Sequence, residues 1–199
     1  SYTNPVHDTG TLHAWAQLRS PKWLRIHNTQ EWPDYYDPAH VEDLRQFFDR
    51  FLRGVENDWE STPTVRMAIL NPGGHDEVGR VATSFPPETS VPTTLPLTIG
   101  GSDGYRVSEP GAHVDLTWTA PHDCEIFGVP LLTFWMTTDR DDADIYIRMQ
   151  KLDRRGRPRW HQTVDLGLPF GRKWMPFVHA RGVAALANAF FAGPRGVLR

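Results

Sequence analysis

Residues able to do chemistry gather in three stretches of this sequence. In the first, His7 and His13 flank Asp8. Imidazoles and a carboxylate are metal ligands, but this spacing on a helix turns the two rings to different faces, so the set does not close around an ion. The second, Asp139, Asp141, Asp142 and Asp144, puts several carboxylates in one loop. That chemistry suits calcium, although no EF-hand pattern accompanies it. In the third, His27 and Glu31 follow a short strand-like run, and Trp32, Tyr35 and Tyr36 come directly after. An imidazole there titrates close to neutrality. No G-x-S-x-G occurs anywhere, and Ser84, Ser90, Ser102 and Ser108 stand among turn-forming residues, so none reads as an activated serine.

The elements that must carry these residues are uneven in clarity. Val41, Leu44, Phe47, Phe48, Phe51 and Leu52 recur at helical spacing and predict a helix over 39–53. Asp37 suits its N-cap, Pro38 its first turn, and Gly54 a left-handed C-terminal position. The opposite face holds Glu42, Asp43, Arg45 and Asp49, and the apolar stripe is wide enough to require a larger partner. Upstream, Thr9–Leu18 reads as a helix introduced by Asp8, and Lys22–Ile26 as a strand ending at His27. Strand, loop and helix in this order fit an α/β layer.

After Pro63 the character changes. Thr64–Leu70, His113–Thr119, Val129–Thr138 and Ala143–Leu152 read as strands separated by segments rich in Gly, Pro and Asp. Val183–Phe191, rich in Ala, suits a short helix or a packed loop. The boundary therefore falls at Ser61–Pro63, with 1–62 and 63–199 as the two parts. The second is expected to be an antiparallel sandwich of the jelly-roll kind. The chain opens in what reads as the end of a strand, and 193–199 show no closing strand, so both parts are expected to be incomplete at their outer ends.

With 39% hydrophobic residues, 23% charged and a net charge of -3 over 199 residues, the composition is that of a globular protein. It lacks the basic excess of a nucleic-acid binder, and Arg154–Arg159 reads as a solvated charged turn. No apolar run approaches the roughly 20 residues that span a bilayer. The lone Cys124 cannot form an internal disulfide, which favours a cytoplasmic over a secreted location, and its default reading is a buried inert thiol. Eight tryptophans are many, and most should serve packing.

Three segments together carry a resemblance: 22–32 (KWLRIHNTQEW), Asp34-Tyr35-Tyr36, and 47–54 (FFDRFLRG). In that order they resemble the CocE/NonD hydrolases and the X-Pro dipeptidyl-peptidase C-terminal region. Pro63–Arg66, Cys124–Gly128, Asp142–Asp144 and Leu152–Gly156 look like landmarks of that family's sandwich, so the similarity runs along essentially the whole chain. The resemblance implies the C-terminal portion of an α/β-hydrolase domain followed by an all-β jelly-roll, galactose-binding-like sandwich. It also implies a Ser-Asp-His triad acting on a small acyl ester or amide, with no cofactor, metal, nucleic acid or membrane partner. A homo-oligomer is left open. The family's nucleophile sits on an elbow upstream of the acid and base, and no such serine is in this chain.

For the base and acid, the resemblance points to two loops. One, after the strand at 22–26, offers His27 and Glu31; the other, after a strand ending at Tyr2, offers Asn4, His7 and Asp8. Placing Trp32 on the tryptophan that often follows the family's histidine puts Glu31 at the base position and Asn4 at the acid position. Glutamate is a weak base near neutral pH unless desolvation raises its pKa, and a neutral amide cannot stabilise an imidazolium. His27 as base with Asp8 as its orienter is the substitute arrangement. A structural histidine in a catalytically altered branch is the other. Trp32, Tyr35 and Tyr36 follow this loop and are candidates to line a pocket for an apolar acyl group.

Overall fold

The computed structural model of the chain describes residues 8–29, 31–100, 104–106, 108–162, 190–191 and 195–198. They fall into two compact units, one formed by 1–84 with 133–199 and the other by 85–132.

In the first unit, α1 (Asp8–Gln17) precedes β1 (Leu24–Ile26), and α2 (Glu31–Tyr35) and α3 (Pro38–Arg53) lead through a 3-10 turn (Asp58–Ser61) to β2 (Val65–Ile69) and β3 (Glu77–Ala82). These strands form one sheet in the order β1-β2-β3. The β1–β2 pairing is parallel, Leu24 opposite Val65 and Ile26 opposite Met67, whereas β2 and β3 are antiparallel. A parallel pair needs a long crossover; here α2 and α3 supply it. Leu24, Ile26, Val65, Met67 and Ala68 are buried, so the core lies on this sheet. Trp15 and Trp59 are buried with it.

The end signals of α3 are those the sequence predicts. Asp37 accepts the Ala39 N–H at 2.9 Å, Pro38 begins the helix, and Gly54 takes φ 66°. Its two faces are arranged otherwise than expected. Phe47 and Phe51 meet Trp23, which also stacks on Trp59 with centroids 5.8 Å apart. Yet Val41, Leu44, Phe48, Leu52 and Phe51 itself are exposed. On the polar side Asp49 is buried and Asp43 accepts from both Arg66 Nη atoms of β2, at 2.7 and 2.9 Å. The acidic residues can face protein because each is paired: Asp49 takes Arg45 and Arg53 from its own helix.

The same unit holds β6 (Ile145–Arg148), β7 (His161–Gln162), β8 (Phe190–Phe191) and β9 (Arg195–Leu198), paired antiparallel as β6–β9 and β7–β8. The sequence shows no closing strand near the end, but Arg195–Leu198 forms one. Phe190–Phe191 is strand rather than helix or loop, while 183–189 lie outside the described residues. In the second unit, β4 (Thr98–Gly100) and β5 (Asp115–Thr117) make a two-stranded antiparallel sheet.

The described architecture is thus mostly β, in small sheets with few helices. Residues 129–138 form no strand: Pro130 lacks an N–H, Leu131 and Trp135 are exposed, and nothing pairs with the segment among the described residues. Cys124 is exposed rather than buried, because it lies in the irregular chain after β5.

Candidate functional site

The loop leaving β1 begins two adjoining polar networks, and the first centres on Asp34. Arg25 points from the middle of β1, between the buried Leu24 and Ile26, as strand alternation requires. It meets Asp34 as a fork, with Nη1 3.1 Å from Oδ1 and Nη2 on Oδ2. Asp34 comes from the single helical stretch α2 and is only 7% exposed. Two histidines complete its surroundings. His27 Nδ1 lies 3.3 Å from Oδ1 and 3.3 Å from Thr29 Oγ1. His40, from the first turn of α3, places Nδ1 3.2 Å from Oδ1 and 2.9 Å from the Asp34 carbonyl oxygen. A carbonyl can only accept, so His40 Nδ1 carries the hydrogen.

Electrostatics follow from this packing. Burial alone would raise the Asp34 pKa, but hydrogen bonds and charge from Arg25, with His27 and His40 added, hold the carboxyl below its ordinary range. Burial pushes the His27 pKa down to about 4; Arg25 and His40 add to this and Asp34 opposes it. His27 is therefore a neutral imidazole at neutral pH. With Nδ1 turned to Thr29 and Asp34, Nε2 is the atom left to exchange a proton.

The second network centres on Asp76, in the turn between β2 and β3. It accepts from the Asn71 N–H at 2.8 Å, from Asn28 Nδ2 at 2.8 Å and from His161 Nε2 at 2.5 Å. His161 is 3% exposed, and its Nδ1 is buried without a hydrogen-bond partner among the described residues. Asn28 is the neighbour of His27, so this network ties the His27 loop to β2 and β7. Burial opposes ionisation of Asp76 as well, yet the three donors keep its pKa below the usual value.

Of the residues singled out in the sequence, His27 lies in the first network and Glu31 opens α2. Asn4 and His7 lie outside the described residues, as do the side chains of Asp8 and Trp32. Tyr35 and Tyr36 stack edge to face at 5.3 Å and are 53% and 68% exposed. Arg25, Asp34, His40, Asp76 and His161 were not singled out. No local signal links Arg25 to Asp34, because a charged residue between two buried ones is ordinary strand alternation. No local signal links Asp76 to His161. Among the described residues no group of three or more His, Cys, Asp or Glu side chains is placed to hold a metal, so the carboxylates of 139–144 do not converge.

Fold and site together define a mixed β-rich unit with a buried histidine–carboxylate cluster at the end of a parallel strand. Neither a protein-family model nor a curated protein matches the chain. Among solved structures, two crystal structures of a CocE/NonD family hydrolase from Staphylococcus aureus are similar, each at 30% identity over 47% of this chain, with a TM-score of 0.39. The chain spans 16% of the length of those proteins.

Proposed function

We propose that the chain is part of an acyl ester or amide hydrolase of the CocE/NonD type, with 1–62 from the end of its α/β-hydrolase domain and 63–199 from its jelly-roll sandwich. The observation that carries this reading is the placement of His27 against Asp34 in the very segment whose sequence resembles that family. In this proposal a serine outside the chain attacks the substrate carbonyl. His27 Nε2 accepts the hydroxyl proton and later returns it to the leaving group, and water then releases the acyl group. Asp34, rather than Asp8, fixes the ring. Burial favours the neutral imidazole that a base must be before it acts. Trp32, Tyr35 and Tyr36 are the proposed lining for the acyl group, and Glu31 is the alternative base.

One observation favours a second reading, a non-catalytic binding module on a degenerate hydrolase scaffold. The Arg25 fork largely neutralises Asp34, and a histidine with a pKa near 4 holds a proton poorly. The test is turnover of a short-chain nitrophenyl ester by the protein containing this chain, with His27→Ala and Glu31→Ala variants alongside. The hydrolase reading expects turnover that His27→Ala lowers by about a thousandfold or more. Loss confined to Glu31→Ala moves the base to Glu31. Absence of both turnover and fluorophosphonate labelling refutes the hydrolase and leaves the module.

A further inference from the structure

Residues 71–74 and 151–155, with Arg157 and Arg159, line an open surface cleft of about 670 Å³ that belongs to neither histidine network. Its lining is dominated by cations: Lys151, Arg154, Arg155, Arg157 and Arg159, against one carboxylate, Asp153. The whole chain carries -3, so this concentration of positive charge runs against the average.

The cleft has a built floor. Leu152 and Pro158 bridge as a tight hairpin, Asp153 N–H donates to the Arg157 carbonyl at 2.9 Å, and Arg159 N–H donates to the Lys151 carbonyl at 2.8 Å. The facing wall is joined to it by Gly73 N–H, which donates to the Trp160 carbonyl at 3.2 Å. Gly73 takes φ +78°, and a Cβ there would stand 2.9 Å from Arg159 Cδ, so glycine lets the two walls close on each other.

What matters is which charges are already committed. Asp153 spends its carboxylate on the hairpin: it accepts the Arg155 and Arg157 N–H groups at 2.8 and 2.9 Å and pairs with Arg159 at 3.2 Å and Arg157 at 3.7 Å. The guanidinium groups of Arg154 and Arg155 have no carboxylate partner among the described residues. Among the described residues Lys151 Nζ is held only by the neutral Asn71 Oδ1, at 2.5 Å. Arg154–Arg159 form the exposed charged turn that the sequence predicts. Here they rim one concavity of a size that small molecules occupy.

We propose that this cleft binds a small polyanion of the polyphosphate class. Guanidinium forks and an ammonium match closely spaced phosphoryl oxygens, and three uncommitted cations suit a ligand with several anionic oxygens better than a monoanion. The site is independent of the hydrolase reading.

Calorimetric titration of inorganic tripolyphosphate into the full chain at low ionic strength tests it. Saturable one-to-one binding is expected, weakening as salt rises. Arg154→Ser with Arg155→Ser should weaken it by at least about tenfold, since each exposed charge contributes roughly fivefold. Lys151→Gln, on the other side of the hairpin, should cost several-fold, and circular dichroism of the variants should match the parent. Absence of saturable binding, equal affinity in the double variant, or sulfate binding as tightly as tripolyphosphate would each overturn the proposal. A single-stranded oligonucleotide that binds more tightly and displaces tripolyphosphate would also overturn it, in favour of a nucleic-acid surface.

Discussion

Replacing Asp34 with Asn keeps the shape of the side chain and removes the charge on which Arg25, His27 and His40 converge. Arg25 would keep one amide oxygen as acceptor but would face an amide NH₂ in place of the second carboxylate oxygen. Breaking a fully buried pair costs about 3–5 kcal/mol. Arg25 retains 27% side-chain exposure, so solvent recovers part of that and the expected loss is about 2–3 kcal/mol. On a chain of this size that lowers the melting temperature by roughly 5–10 °C. Urea unfolding followed by tryptophan fluorescence is a direct assay, because Trp23 and Trp59 stack in the same unit. Arg25→Met should cost about 3 kcal/mol by stranding Asp34, and the double variant little more than either alone, a coupling of about 2 kcal/mol. A Asp34→Asn loss under about 0.5 kcal/mol, or full additivity with Arg25→Met, would refute the claim that the fork organises this loop.

Two further outcomes follow from the same networks. His27 titrates at about 4 when folded and at 6.5 when free, so the unfolded chain binds more protons between those values. Stability from this group is full above about pH 6.5 and declines as pH falls towards 4, by about 2 kcal/mol once solvent access to the ring is allowed for. Melting temperatures over that interval check it, and His27→Gln should flatten the slope; an unchanged slope in that variant would assign the titration elsewhere. Asp76→Ala removes the acceptor of three donors and takes from the buried His161 the one ring partner it has among the described residues. It should cost about 3 kcal/mol and speed hydrogen exchange at the Asn71 amide. Exchange at the parent rate would show that the turn holds without it.

What the sequence made legible was local. The N-cap, first-turn proline and C-terminal glycine of α3 are short-range chemistry, and all three take the expected positions. The burial of its two faces was not legible, because Asp43 faces inward only where Arg66 comes to meet it from β2. His27 was found because an imidazole after a strand is conspicuous. Asp34 reads in the sequence only as part of the Asp34-Tyr35-Tyr36 motif, since nothing local says that Arg25, nine residues back, bonds to it. Asp76 and His161 lie 85 positions apart, and only the tertiary fold joins them. The run at 129–138 misled because apolar residues favour a strand only when another strand offers its backbone.

The parallel pairing of β1 with β2 makes the central sheet entropically lopsided. β3 reaches β2 across a short turn and loses little chain freedom in doing so, whereas β1 reaches it only by closing residues 27–64 into a loop. Contacts between such distant positions are the slow and costly ones in assembling a sheet. A formed α3 offsets much of that cost, since its 16 residues move as one rigid segment instead of a flexible tether. The Asp37 cap and the Gly54 turn at its ends thus contribute to strand pairing without touching either strand.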